Sequence, residues 1–286
     1  MTLRLPVLAL CLAGVVTSPA VAQKPQTTAF VTVVAPAAAP MTSLTAKDFK
    51  AQGGRFEIAE AVRSTGPLSI EVLVDISRAP YGTNPPIQDL RTALETFVQT
   101  IRGGDPSAQI ALMQVGNAAV PVVDFDAPPT ALDKAVGTVA PGPETGAVMI
   151  EGVQDAGRAL AKRPAPRRAI VAVDFASSDS IPENVAEKIV KEVYLTGASI
   201  WAISVRGSVQ QPPMRENALN MIVKGNGGER LTINVASGLK TQLQSVANSL
   251  LSQYNVTIAG IDPPHVRDVK LSTANGAKVV TSLFAQ

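Results

Sequence analysis

An aspartate and a serine stand close together directly after an apolar run of the sequence. Asp75 and Ser77 follow residues 68–74, whose β-branched and aliphatic side chains predict a buried strand. Ligands bind at the carboxyl ends of strands in a doubly wound sheet, so this position favours a binding site. A carboxylate beside a hydroxyl is an oxygen-rich set, which suits Mg²⁺, Mn²⁺ or Ca²⁺. After this strand the sequence has neither a dinucleotide-binding glycine fingerprint nor a phosphate-binding loop.

Two further residues extend this pair into the motif of a known family. Thr145 precedes a predicted helix 70 residues after Asp75, and Asp174 closes another apolar strand 29 residues after Thr145. The set resembles the metal-ion-dependent adhesion site of von Willebrand factor A (VWA) domains, whose motif is Asp-x-Ser-x-Ser, a distant Thr and a distant Asp. The resemblance implies a divalent ion held, directly or through water, by Asp75, Ser77, Thr145 and Asp174. It also implies a protein partner whose acidic side chain completes the ion's ligands.

The flanking segments resemble a bacterial subfamily of exported VWA-related proteins. The similarity lies in residues 44–49 with the following Gly53-Gly54, and in residues 254–258 with the β-like tail after them. Together with the site motif, it spans nearly the whole chain beyond its first residues.

The motif also departs from the family pattern. Ala79 replaces the second serine, and Arg78 stands where a small residue is usual. Asp174 is followed by Phe175, where the family has a glycine. An arginine pairs well with a neighbouring carboxylate. We therefore expect metal binding to be weakened or lost, with Arg78 joining Asp75 and Asp174 in a metal-free salt-bridge cluster and presenting positive charge to the partner.

Other common chemistries have little support in the composition. The chain has one Cys and one His, so a zinc site of the Cys/His type lacks ligands. The single histidine, His265, lies in a Pro-rich link and is expected to be a surface loop residue. Ser237 and Lys240 match a Ser-x-x-Lys pattern, but a helix start capped by Ser237 is the favoured interpretation. A net charge of +2, without a basic cluster, argues against a nucleic-acid partner.

Predicted strands and helices alternate from about residue 66 to residue 254. This pattern predicts an α/β fold: a doubly wound, mostly parallel sheet with helices on both faces. The last helix is predicted over residues 239–254, with an apolar stripe that ends at Tyr254.

The two ends of the chain are β-like and poor in helix. We expect residues 23–65 and 255–286 to pair into a small second module, in which Asn275-Gly276 predicts a hairpin turn. The predicted organisation is therefore a signal peptide at 1–22, a β segment at 23–65, a VWA-like domain at 66–254 and a β segment at 255–286.

The N-terminus has the features of an export signal. Arg4 precedes an apolar run over residues 5–16, and Ala20-Val21-Ala22 supplies a cleavage pattern before Gln23. Cleavage there would remove Cys11, the only cysteine, which suits an oxidising compartment such as a periplasm or the cell exterior. Later apolar stretches are too short for a membrane span, so none is predicted.

These features predict an exported module that binds a protein or a surface and is not an enzyme. The alternative is a periplasmic enzyme or small-ligand binder on the same open sheet. A third possibility is a structural role with a vestigial site. The depth of the surface above the strand ends separates the first two, because a ligand site needs a deep cleft.

Overall fold

The computed structural model describes residues 25–52, 56–77, 87–143, 145–175, 177, 179, 183–206, 213–261 and 269–282. The predicted signal peptide, Arg78, Ala79 and His265 lie outside these residues.

The described strands form three sheets. They are β1 (Gln26–Val33), β2 (Phe49–Ala51), β3 (Glu57–Arg63), β4 (Leu68–Asp75), β5 (Gln109–Val115), β6 (Ala119–Val123), β7 (Arg167–Asp174), β8 (Ser199–Val205), β9 (Arg230–Ile233), β10 (Gln253–Ala259), β11 (Leu271–Thr273) and β12 (Val279–Thr281). The central sheet has the order β6-β5-β4-β7-β8-β9, and its neighbouring strands are parallel except for β6 against β5.

Helices cover both faces of the central sheet. They are α1 (Ile87–Gly104), α2 (Pro129–Thr138), α3 (Met149–Ala161), α4 (Glu183–Tyr194), α5 (Pro213–Gly225) and α6 (Leu239–Leu250). One core joins α1, α2 and α6 to the sheet, and a second joins α3, α4 and α5 to the opposite face. Every residue of β4 and β8 is buried, as expected for central strands covered on both sides. The predicted fold class is confirmed.

The two ends of the chain meet in a four-stranded antiparallel sheet of order β12-β1-β10-β3. Strand β1 lies between β10 and β12, so an N-terminal strand is paired on both sides by C-terminal ones. β2 and β11 form a small sheet beside it. These six strands are called the β module below, and they surround a core of their own.

The last helix is shorter than the sequence predicted. α6 ends at Leu250, and Tyr254 lies in β10 rather than on the helix. Its ring packs edge-on against Phe49 with ring centroids 5.5 Å apart. Its hydroxyl accepts a hydrogen bond from the amide of Leu44 and donates one to the carbonyl of Met41. The prediction of a helix to residue 254 was wrong because Tyr254, although at helical spacing, belongs to the core of the β module.

The Ala/Pro-rich segment after β1 is held against α6 by polar side chains. Ser245 donates a hydrogen bond to the carbonyl of Ala35, and Asn248 donates to the carbonyls of Pro36 and Ala37. The amide of Ala35 in turn donates to the hydroxyl of Ser249. These contacts place one polar stripe of α6 against a segment of low sequence complexity. Within the described residues, no helix is both long and apolar enough to cross a bilayer.

Candidate functional site: a buried carboxylate–guanidinium cluster

Two aspartates end adjacent parallel strands of the central sheet. β4 ends at Asp75 and β7 ends at Asp174, and the two strands are in register through Val74 and Val173. Both side chains are fully buried. The structure therefore brings together the two carboxylates that the sequence placed at strand ends.

Four donors from the loops after β4 and β7 converge on the carboxylate of Asp75. Its Oδ1 accepts hydrogen bonds from the amide of Ser77 at 2.9 Å and from the hydroxyl of Ser77 at 2.5 Å. Its Oδ2 accepts from the hydroxyl of Ser177 at 2.7 Å and from the amide of Phe175 at 3.2 Å. Charge-assisted hydrogen bonds of this kind favour an ionised acceptor.

The guanidinium group of Arg215 lies between the two aspartates. Its Nη2 is 2.7 Å from Asp174 Oδ1 and 3.3 Å from Asp75 Oδ2. Its Nη1 donates to both the hydroxyl and the carbonyl of Ser177 at 2.7 Å. Arg215 stands in the first turn of α5, and its side chain is as fully buried as the two carboxylates.

A chain of polar contacts runs from this cluster to β9. Asp174 Oδ2 accepts a hydrogen bond from the hydroxyl of Ser204, which itself accepts from the guanidinium of Arg230. Arg230 pairs with Glu216, and Glu216 also pairs with Arg206. Among the described residues, three carboxylates thus face three guanidinium groups, and the formal charges of these six cancel. The six residues, called the charge network below, are Asp75, Asp174, Glu216, Arg206, Arg215 and Arg230.

Burial and charge act in opposite directions on Asp75. Burial raises the pKa of Asp75, and the nearby carboxylate of Asp174 raises it further. Arg215 and the serine hydroxyls oppose that rise. Burial also lowers the pKa of the Arg230 guanidinium, against the attraction of Asp174 and Glu216. Asp75, Asp174 and Arg215 are fully buried, so removing any one of the three leaves a costly buried charge without its partner.

The surface directly above Asp75 is a shallow crevice. Its volume is about 10 Å³, close to the space that one water needs. The residues that line it are mainly apolar: Asp75, Ile76, Ser77, Ile87, Leu90, Pro141 and Phe175.

Solved structures with the same architecture identify the fold. A von Willebrand factor type A protein from Catenulispora acidiphila aligns with a TM-score of 0.55 at 11% identity, over 93% of this chain and 74% of that one. Proximal thread matrix protein 1 from the mussel byssus gives 0.53 at 16% identity, over 69% and 50%. The SpRpn10 VWA domain gives 0.50 at 17% identity, over 61% and 94%. The chain has the von Willebrand factor A fold. By sequence alone, neither a family model nor a curated protein matches it.

The VWA fold raises the question of whether this cluster fits a metal ion. One structure of the mussel protein has zinc at its adhesion-site motif. Here the guanidinium of Arg215 already lies between the carboxylates of Asp75 and Asp174. The hydroxyl of Ser77 donates to Asp75. In the part of the chain that is described, no three His, Cys, Asp or Glu side chains group as metal ligands. As arranged, these residues do not fit a divalent ion.

The structure unites three of the four residues that the VWA resemblance suggested as metal ligands. Asp75, Ser77 and Asp174 lie in the cluster: Ser77 donates to Asp75, and both aspartates pair with Arg215. Thr145 is exposed in the loop before α3 and takes part in none of the contacts given above. Arg78 lies outside the described residues, and Arg215 is the cation that pairs with both aspartates.

Sequence reasoning missed Arg215, although a signal for it exists. Arg215 shares one helical face with buried apolar residues of α5, at positions 218, 219, 222 and 223. A charged residue on the apolar stripe of a helix must find a buried partner. A cation is also disfavoured at a helix N-terminus unless a nearby anion compensates it.

Proposed function

We propose that this chain is an exported VWA module that binds another protein and does not act as an enzyme. The single observation that carries the proposal is the burial of the charged side chains at the strand ends. The charged side chains described there, Asp75, Asp174 and Arg215, are buried and paired with one another. A catalytic group has to reach its substrate, whereas these groups support the loops around them.

The cavities favour a protein partner over a small ligand. The crevice above Asp75 has room for about one water, whereas pockets for small molecules span roughly 300–1,000 Å³. A larger cavity of about 260 Å³ lies at the other end of the sheet, beside β5 and α2. Two of its polar side chains already have partners, because Arg102 pairs with Asp133 and Gln109 donates to Asp126.

The partner surface is proposed at the carboxyl ends of the central strands. The loop before α3 reaches this face, because the amide of Gly142 donates to the carbonyl of Ile76, and it carries the exposed Thr145. Arg215 is too buried to offer its charge to an acidic side chain of the partner. The contact is therefore proposed to come from the loops, while the buried cluster fixes their shape.

Export of the chain is the remaining part of the proposal. It rests on the signal pattern at residues 1–22 and on the absence of cysteine from the rest of the sequence. We place the mature module in a periplasm or outside the cell.

A site-specific photo-crosslinker tests the binding surface. It would replace Thr145 in one variant and Thr130, an exposed threonine at the opposite end of the sheet, in a matched control. Both variants would be produced in the native host and irradiated in intact cells. A discrete protein adduct from position 145, with none from position 130, supports the proposal. Equal adduct patterns, or adducts from position 130 alone, contradict the proposed surface.

A further inference from the structure

The environment of Arg215 is that of a bound cation rather than of a surface side chain. Its guanidinium reaches the ends of two parallel strands, through Asp75 and Asp174, and the loop after β7, through Ser177. It also lies 3.4 Å from the carbonyl of Ala147, just before α3. One buried positive group on α5 thus connects three other segments at the strand ends: the end of β4, the end of β7 with the loop after it, and the residues before α3.

We propose that Arg215 is a resident cation that stands in for a divalent ion and makes the strand-end face of this VWA fold independent of metal. Two of the adhesion-site residues, Asp75 and Asp174, pair with the guanidinium instead, and Ser77 donates to Asp75. In this arrangement chelators and divalent ions leave the protein unchanged. Removal of Arg215 exposes two carboxylates and the serine hydroxyls beside them, which is a ligand set for Mg²⁺ or Mn²⁺.

Charge balance supports this proposal. The buried members of the charge network are two carboxylates, Asp75 and Asp174, and two guanidinium groups, Arg215 and Arg230, so an added divalent ion would leave an excess of positive charge in a buried region. The cost of such an excess is high where solvent is excluded. An ion can therefore enter only if Arg215 is absent or leaves the cluster. A guanidinium that is covalently part of α5 cannot be lost by dilution, unlike an ion.

Position on the helix explains how one residue can take this place. Arg215 lies one residue before Glu216, so the two point in different directions from the first turn of α5. Arg215 pairs inward with Asp75 and Asp174, and Glu216 pairs with Arg206 and Arg230. The first turn of α5 is therefore held by ion pairs on two of its sides.

Thermal melting with and without metal tests the proposal. Wild type, Arg215→Gln and Arg215→Gln/Asp75→Asn would be melted in EDTA and in millimolar Mg²⁺, Mn²⁺ or Ca²⁺. Wild type should melt at the same temperature in every solution. Arg215→Gln should melt lower in EDTA and rise by about 5 °C at a hundredfold excess of Mn²⁺ over its Kd. The double variant should lose that rise, because it lacks one of the two carboxylates.

Each outcome decides the question, and none of them depends on whether a partner binds. A metal-induced rise in wild type overturns the proposal. So does a folded Arg215→Gln variant that no ion stabilises. If this variant is insoluble in EDTA, the readout becomes the yield of folded protein after refolding with and without Mn²⁺. Equal yields overturn the proposal, and a higher yield with Mn²⁺ supports it.

Discussion

Arg167 Nε donates a 2.8 Å hydrogen bond to Gln253 Oε1, across the boundary between the central sheet and the β module. The same guanidinium donates to the carbonyls of Gly66 and Leu250 and pairs with Asp105 at 3.1 Å. Arg167 begins β7, and Gln253 begins β10. A single buried side chain therefore joins the start of β7 to the ends of α1 and α6 and to the first residue of β10.

We expect Arg167→Met to reduce the free energy of unfolding by about 3 kcal/mol, since it leaves two carbonyls and a carboxylate without their charged donor. Chemical denaturation measures this. Arg158→Met is the matched control, because Arg158 is more than half exposed and should change stability by less than about 0.5 kcal/mol. Equal stabilities for the two variants would contradict the role assigned to Arg167.

Glu71 makes stability depend on pH. It is buried in β4, where burial, with a smaller effect from Asp124, raises its pKa to about 8 from 4.5. The folded chain therefore holds a proton that the unfolded chain has released. The stability that this proton supports is complete below pH 4.5 and is lost as the pH rises to about 8, at about 1.4 kcal/mol per unit.

The measurement for Glu71 is the free energy of unfolding across that range. Glu71→Gln should remove this contribution to the slope and stabilise the protein most at the alkaline end. Glu151→Gln, at an exposed position of α3, should keep the wild-type slope. If both variants keep that slope, Glu71 is not the titrating group.

Close packing requires glycine at residue 228. A Cβ atom there would lie 1.8 Å from the carbonyl oxygen of Ile200, which is a backbone atom of β8. Gly228→Ala should therefore cost at least about 3 kcal/mol of stability by forcing β9 away from β8. Gly137→Ala in α2 meets open space and should instead stabilise the protein by up to about 1 kcal/mol. Thermal melts of the pair that move in the same direction would count against this account.

The proposed signal peptide gives a prediction that needs no folded protein. N-terminal sequencing of the exported chain should begin at Gln23. Ala22→Arg should leave the precursor uncut because the cleavage site requires a small residue, whereas Val21→Leu should be processed normally. A mature chain that still contains Cys11 would refute the proposed signal peptide.

The sequence predicted the parts of the site that follow from strand ends. Asp75 was predicted from the rule for strand ends in a doubly wound sheet, and Asp174 from the resemblance to the VWA motif. The structure places them at the ends of two adjacent strands. Arg215 could not be paired with them in the same way, because 140 residues separate it from Asp75 and no local spacing connects them. Its place on the apolar face of α5 indicated burial but not the partner.

The fold, like the site, was predictable in part. Alternating strands and helices were predictable because buried strands and amphipathic helices leave distinct periodicities. The end of α6 was missed because Tyr254 fits both a helical stripe and the core of the β module, and only the tertiary contacts with Phe49 and Met41 separate the two.

The position of β1 between two C-terminal strands affects when the chain can finish folding. The hydroxyl of Thr27 donates to the carbonyl of Ile261, which the ribosome adds 234 residues later. Until β10 and β12 are synthesised, β1 has no strand to pair with in the sheet it occupies. Contacts this distant in sequence close late and slowly. Such an order of events leaves the growing chain without its completed β module throughout most of translation.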